Sequence, residues 1–501
     1  MRLITLDFDG LRRDVFLSTL QQGHLPNIAR VLGGPEAAAG LHLEPLSNAP
    51  SITFNCQTSL FTGAHPGVHG ILGNQFFDRF GSTTGGRPHY YAFDVGDTLN
   101  VEDAVRVFSH PVGLVSQALP HTVPTLYERA AARGLTSTVV YHMLARGATT
   151  WITPSLIDLA RLTKGGRLLG MSAEAFDTEM FNQTQAHLWR GARPDVLTLY
   201  CLGLDHHSHR HGPGAQAAYI ADVVDPLVGR LLSDLESLNL LDGALFGIVS
   251  DHGHYGVIKD DRHSLRLSIP FDRELAHVFD ELGLDVSDVP GEGTKSNAMV
   301  ACNGGVAFVY VQKRRGGWAD PPSFQADVAP VAQAFWEANH AGRHAPELEG
   351  ALHLVLVRDV EREGWNAGYA VWTPAEAATG RLIPFEDYLR QYPSPMLVEA
   401  GQRVRALVAP NAGDLLLIAN YADGFYFGAP TQSTHGGLHP ADSEAVMSFG
   451  LPSGTTAQVS ALRETIRSAV ADRCRAEGGR RTGLVDYCTA VEAALGWDRN
   501  P

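Results

Sequence analysis

The feature that most constrains this chain is a rhythm: short β-rich apolar runs alternate with longer amphipathic stretches. RLITLDF (2–8), TSTVVY (136–141), DVLTLYC (195–201) and ALFGIV (244–249) have the length and the branched or aromatic content of buried strands. Between them, 123–134 (opening at Val123-Pro124), 172–190 and 215–238 read as helices, the last with apolar residues at helical spacing. Such alternation requires a mostly parallel sheet covered by helices on both faces, so the expected fold class is α/β. Later runs at 305–312, 352–358, 368–373, 414–418 and 425–428 are also strand-like and either complete that sheet or build a smaller cap. The charged, Gly/Pro-rich stretch 258–300 reads as an excursion over the face where ligands bind.

The bulk numbers narrow the classes. A chain of 501 residues, 44% hydrophobic and 19% charged, buries a large core. Its formal net charge of −15 disfavours a long nucleic acid or an anionic membrane as partner, so positive charge for an anionic ligand must be made locally. The opening MRLITLDFDG reads as a core strand, and there is no apolar run of about 18 residues, so the expectation is a cytoplasmic protein with no membrane span. Cys56, Cys201, Cys302, Cys474 and Cys488 are scattered, odd in number and without a CxxC pair. Any metal must therefore be held by Asp and His.

Open α/β sheets bind ligands beyond the carboxyl ends of their strands. There the chain places Asp9-Gly10, GLDHHSHRHGPG, SDHGH and, after 414–418 and 425–428, STHGGLHPAD. Taken singly, an Asp-Gly is a turn, Asp251-His252 is little better, and His206, His207 and His211 read as a solvated loop. Together, four strand ends would crowd carboxylates and imidazoles onto one edge, where buried like charges repel unless cations sit among them. The candidate ligands are Asp9, Asp205, His209, Asp251, His252 and His435, enough for two zinc-like ions with three ligands each and an open position for substrate. Asp205-x-x-x-His209 shares one face if the segment is helical.

The segments LDFDGLRRD, PSITFNCQTSLFTGAHPGVHGILGN, LDHHSHRHGP, VSDHG and STHGG, in this order from residue 2 to about 450, resemble the alkaline phosphatase superfamily and, within it, the type I phosphodiesterase/nucleotide pyrophosphatase branch. The resemblance implies that Thr53 is the nucleophile and that Asn74 hydrogen-bonds a nonbridging phosphate oxygen. The residues agree. Thr53 follows Pro50 and precedes an apolar helical run, 54–61, that stops at Thr62-Gly63, which puts it at or beside a helix N-cap whose free N–H groups suit a phosphoryl oxygen. Thr58, Ser59 and Thr62 read as packing or back-bonded residues, and His65 and His69 as ordering the segment without chemistry.

By the same resemblance the expected activity is two-metal hydrolysis of phosphodiesters or nucleotide pyrophosphates through a phosphothreonine intermediate. One ion would be held by Asp9, Asp251 and His252, and the other by Asp205, His209 and His435. Asn74 and the Phe54 N–H would bind the remaining charge. Zinc is the first choice, manganese the second, and the partner is a small phosphate ester. A phosphomonoesterase or phosphonate hydrolase is the alternative, with Arg146 as its lone candidate clamp; a non-catalytic metal-bound binding protein is the alternative of another class. The sulfatase branch needs Cys-x-Pro-x-Arg, which Cys56 does not begin. Asp7 departs from the family pattern, standing where an aliphatic residue is usual. The organisation expected is 1–257 as the first part of a catalytic α/β core, 258–432 as remaining core strands plus cap insertions, and 433–501 as the last metal-ligand loop and C-terminal part of the core. Leaving group and oligomeric state stay open.

Overall fold

The computed structural model describes residues 1–34, 40–93, 106–109, 113–164, 170–267, 274–289, 291–292 and 295–497. Seven strands form the first sheet: β1 (Arg2–Phe8), β2 (Leu41–Leu43), β3 (Ser137–Val140), β4 (Thr150–Ile152), β5 (Val196–Cys201), β6 (Ala244–Val249) and β7 (Met447–Gly450). Their order is β2-β7-β6-β1-β5-β3-β4. β6, β1, β5, β3 and β4 run parallel, while β7 lies antiparallel against β6. Every residue of β3, β5 and β6 is buried, as is β1 from Leu3 onward, with no alternation. A parallel sheet with both faces covered requires that.

Register decides where the chemistry lands. Asp7 pairs with Tyr200 on β5 and with Val249 on β6, so the residues after β1, β5 and β6 leave the sheet along one edge. Asp9, the helix α2 (Gly203–His211) and Asp251 therefore start side by side.

Four of the five later strand-like runs belong to a second seven-stranded sheet, mostly antiparallel, that contains Ala298–Asn303, Val306–Val311, Leu415–Ala419, Leu352–Val357 and Ala370–Val371, while the run 425–428 gives Tyr426–Phe427, paired with Ser264–Leu265 in a sheet of two. None of these joins the first sheet. Asn303, at the end of one, accepts from the backbone N–H of Asn74 at 2.8 Å and of Gln75 at 3.1 Å, and Gly305 N donates to His435 O at 2.9 Å. The second sheet thus pins two residues of the site.

The helices follow local chemistry. Thr125 and Glu128 form a capping box that starts Leu126–Ala131, so the expected helix at 123–134 is trimmed at both ends. Ala173–Trp189 occupies the stretch expected at 172–190. The long helix expected at 215–238 is interrupted by a π turn at Ile220–Val224, just before Pro226, whose missing N–H and ring exclude the regular bond to the preceding turn. Among the described residues, no helix is long and apolar enough to cross a membrane.

Candidate active site

The helix α1 (Thr53–Thr62) has Ile52 in extended conformation at its N-cap, Thr53 as its first residue and Gly63 in the left-handed region at its end. All ten of its residues are buried. Thr58 and Thr62 bond back to Phe54 O and Thr58 O at 2.7 and 2.6 Å, and Ser59 meets His69 Nε2 at 3.0 Å, which leaves Thr53 as the hydroxyl of this helix on the cavity. Its Oγ1 lies 3.1 Å from His252 Nε2. The Phe54 N–H does not wait for a ligand, as the sequence led one to expect: it donates to Asn74 Oδ1 at 3.0 Å. That bond orients the amide, so Nδ2 is the donating end that Asn74 offers elsewhere.

The expected ligands gather in two adjoining groups. In the first, His252 Nε2 is 3.5 Å from Asp9 Oδ1 and 3.4 Å from Asp251 Oδ2. Asp251 Oδ1 is occupied by the N–H groups of Gly10 and His252 at 3.1 and 2.9 Å, and Asp9 Oδ2 accepts from the Tyr200 hydroxyl. The other oxygens, Asp9 Oδ1 and Asp251 Oδ2, are buried with no hydrogen-bond partner. In the second group, Asp205 Oδ2 is 3.5 Å from His209 Nε2, Asp205 Oδ1 is 3.5 Å from His435 Nε2, and the two imidazole nitrogens are 3.2 Å apart. The His252 and His435 rings stack at 3.8 Å, so the groups share a wall.

The protons of these rings are assignable. The Nδ1 atoms of His252, His209 and His435 meet the carbonyls of Gly253, Ser433 and Ser51 at 3.1, 2.9 and 3.3 Å. A carbonyl only accepts, so each neutral ring carries its proton on Nδ1 and turns a bare Nε2 inward. Every atom converging on the centre is then an acceptor: imidazole nitrogens and carboxylate oxygens. Electrostatics repeat the point for the first group and reverse it for the second. Burial, then Asp251 and Asp205, push Asp9 well above the usual carboxylate range, and burial also raises Asp251 despite His252. Burial works to raise Asp205 too, but His209, His254 and His435 outweigh it and hold that carboxyl well below. Four donors around one ion at about 2.0–2.1 Å stand about 3.3–3.4 Å apart, close to the separations here. The residues fit two divalent cations.

Other residues fall differently from their sequence reading. His206, His207 and His211 lie on α2, not in a loop; His206 faces the cavity and His207 meets Glu174 at 3.6 Å. Asp7 sits beneath the ligands, accepting from Gln57 Nε2 at 3.2 Å. Gln57 is in turn held by His142 at 3.0 Å. Arg146, the candidate clamp, is committed to structure: it pairs with Glu128 at 2.9 Å and donates to Leu119 O and Val123 O at 2.7 and 2.6 Å. A cavity of about 360 Å³ opens over Thr53, with Phe108, Met143, Leu159 and Phe427 among its apolar walls and Lys259 and Arg210 as its cations. The sequence reading did not single out Lys259, Arg210, Tyr200 or His254. For His254 a signal existed, a second imidazole two positions after His252.

A parallel sheet that gathers a helix-initial threonine, carboxylates and imidazoles at its carboxyl edge defines an alkaline-phosphatase-like fold. More narrowly, the chain belongs to the type I phosphodiesterase / nucleotide pyrophosphatase family, whose model matches residues 3–341, and is thereby a phosphoryl-transfer hydrolase. It is similar in structure to murine ectonucleotide pyrophosphatase / phosphodiesterase 5, with a TM-score of 0.52 at 13% identity over 90% of this chain and 88% of that one. An inactive variant of that murine protein, in complex with AMP, is similar at 0.52 and 14% over the same shares. Phosphonoacetate hydrolase from Sinorhizobium meliloti, in complex with phosphonoacetate, is similar at 0.53 and 17%, over 98% of this chain and 95% of that one. These identities carry the fold alone. Among curated proteins, none matches the chain.

Proposed function

We propose that the protein hydrolyses small phosphodiesters or nucleotide pyrophosphates by phosphoryl transfer to Thr53. The observation that carries this reading is the Thr53 hydroxyl, first in its helix, 3.1 Å from His252 Nε2 and beside the Asp9–Asp251–His252 and Asp205–His209–His435 groups. Asp9, Asp251 and His252 would hold one divalent cation, and Asp205, His209 and His435 another, with zinc the first choice for such mixed sets of three. When bound, the cations supply Lewis-acid charge for the phosphoryl oxygens and lower the pKa of the hydroxyls they contact.

The chain's own residues do the rest. Thr53 Oγ1 gives up its proton to solvent and attacks phosphorus, a new P–O bond forms and the ester bond to the leaving group breaks, the departing oxygen taking a proton from solvent. Water then attacks phosphorus, the bond to Oγ1 breaks, and Oγ1 regains a proton. Asn74, oriented through the Phe54 N–H, donates from Nδ2 to a nonbridging oxygen. The apolar walls exclude water from the organic part of the substrate, and Lys259 and Arg210 offset its charge.

Those two cations also support a second reading, a monoester or phosphonate whose additional charge they would balance in place of Arg146. Initial rates on a bis-aryl phosphodiester and the matching aryl monoester, with zinc-loaded wild type beside Thr53→Ala, separate the two. A large Thr53-dependent diester preference is expected; a monoester preference moves the activity to phosphatase. In Thr53→Ala, metal content should stay near wild type while turnover is lost. Turnover retained at more than a small fraction of the rate removes Thr53 from the nucleophile role.

A further inference from the structure

The histidine that the six-ligand assignment leaves over is His254. It is fully buried, on the loop between Asp251 and the strand Tyr255–Gly256, which pairs with Ser433–Thr434 and so carries His254 against the segment of His435. Its Nε2 lies 2.7 Å from Asp205 Oδ1, the oxygen that also faces His435 Nε2, and its ring centre is 4.8 Å from that of His209 and 5.1 Å from that of His435.

The hydrogen-bond chain behind the ring fixes its proton. Ser433 Oγ is 2.7 Å from Ser208 O, a carbonyl, and must donate there. The same Oγ is 3.1 Å from His254 Nδ1, so it accepts from Nδ1–H. In the neutral ring Nε2 is then bare, and it faces a carboxylate oxygen at hydrogen-bond distance. Two acceptors in that contact repel unless a proton or a metal cation relieves them, and around a metal the pair opens to about 3.3–3.4 Å, the spacing of neighbouring donors. His254 and Asp205 stand with His252 and His435 in one group whose ligand atoms lie within 4.8 Å of one another. The fold makes room for this pair: a Cβ on Gly10 would stand 2.7 Å from His254 Nε2 and 3.0 Å from Asp205 Oδ1, so glycine alone is tolerated beside them.

We infer that His254 is a further protein ligand of the cation at Asp205, making that site one carboxylate and three imidazoles. The inference rests on the two-cation reading above. With the ion bound, His254 would occupy a position that a three-ligand site leaves to water.

The test is X-ray absorption of the full-length protein loaded with two equivalents of zinc, counting imidazole scatterers over both ions, together with zinc affinity by competition with a chromophoric chelator. Four imidazoles (His209, His252, His254 and His435) are expected in wild type, falling to three in His254→Ala, with affinity for the weaker-held ion reduced at least tenfold. His254→Gln, which keeps a hydrogen-bonding side chain, should be as poor as alanine. Three imidazoles in wild type, or full affinity in His254→Gln, overturns the inference: the ring would then be a charged partner of Asp205 and nothing more, while the two-cation reading stands. If wild type takes up no zinc, both fall. The wild-type count decides the matter even if the variants do not fold.

Discussion

Asp9 carries a heavy electrostatic load. One of its oxygens is spent on Tyr200, the other has no partner, and burial beside Asp251 and Asp205 raises its pKa. A carboxyl raised on folding contributes stability that is fully present below its unfolded value, about 3.9, and is lost as pH rises through the folded one. In metal-free protein, Asp9→Asn should therefore be more stable than wild type at neutral pH, by about 1 kcal/mol or more, with the difference vanishing near pH 4. Denaturant unfolding of the chelated proteins across pH measures this; an equal or lower stability of the variant at neutral pH would show that the carboxylate is compensated. On the proposed mechanism Asn74→Ala removes a donor to the phosphoryl group, and it should lower kcat about 10²–10³-fold with zinc content unchanged. The six candidate ligands and Thr53, which the structure brings together, were legible as residues because strand ends and a helix start announce themselves locally. His254 was not, since its meaning depends on Ser433 and Asp205, far away in the chain.

At the scale of elements, the approach to Thr53 is held by a buried cation on the helix Ala400–Leu407. Arg403 donates to Ser47 O at 2.8 Å, to Asn48 O at 2.6 Å and to Ser51 Oγ at 2.6 Å, while Ser51 O receives Gly436 N at 2.7 Å. Arg403→Met leaves buried carbonyls without donors and should cost about 3 kcal/mol or more, measured by unfolding, and lower kcat by loosening the start of α1. A wild-type stability would mean that the segment holds itself. The long buried strands β1, β3, β5 and β6 and the helices beside them were readable from composition and period, yet the sheet to which the runs at 306–311, 352–357 and 415–419 belong was not. Apolar runs of one kind serve either sheet, and pairing is decided by distant partners. β7, four residues long, carries too little pattern to be seen.

Over the whole molecule, two sheets and loops distant in sequence meet at one cluster in which the buried carboxylates of Asp9 and Asp251 repel each other without cations. Cation binding is then coupled to folding, and free zinc at about a thousand times its dissociation constant should add about 4 kcal/mol relative to chelated protein. Equal thermal unfolding with zinc and with chelator would contradict a preformed two-cation site. The proposed mechanism turns on the atom that phosphorus is passed to. The direct measurement is mass spectrometry of the peptide containing Thr53 after acid quench of zinc-loaded protein mixed with a bis-aryl phosphodiester. An aryl-phosphoryl adduct on Thr53 that forms within the first turnover, and is missing in Thr53→Ala, is the predicted result. Steady turnover with no adduct on Thr53, and with rate retained in Thr53→Ala, would contradict the account.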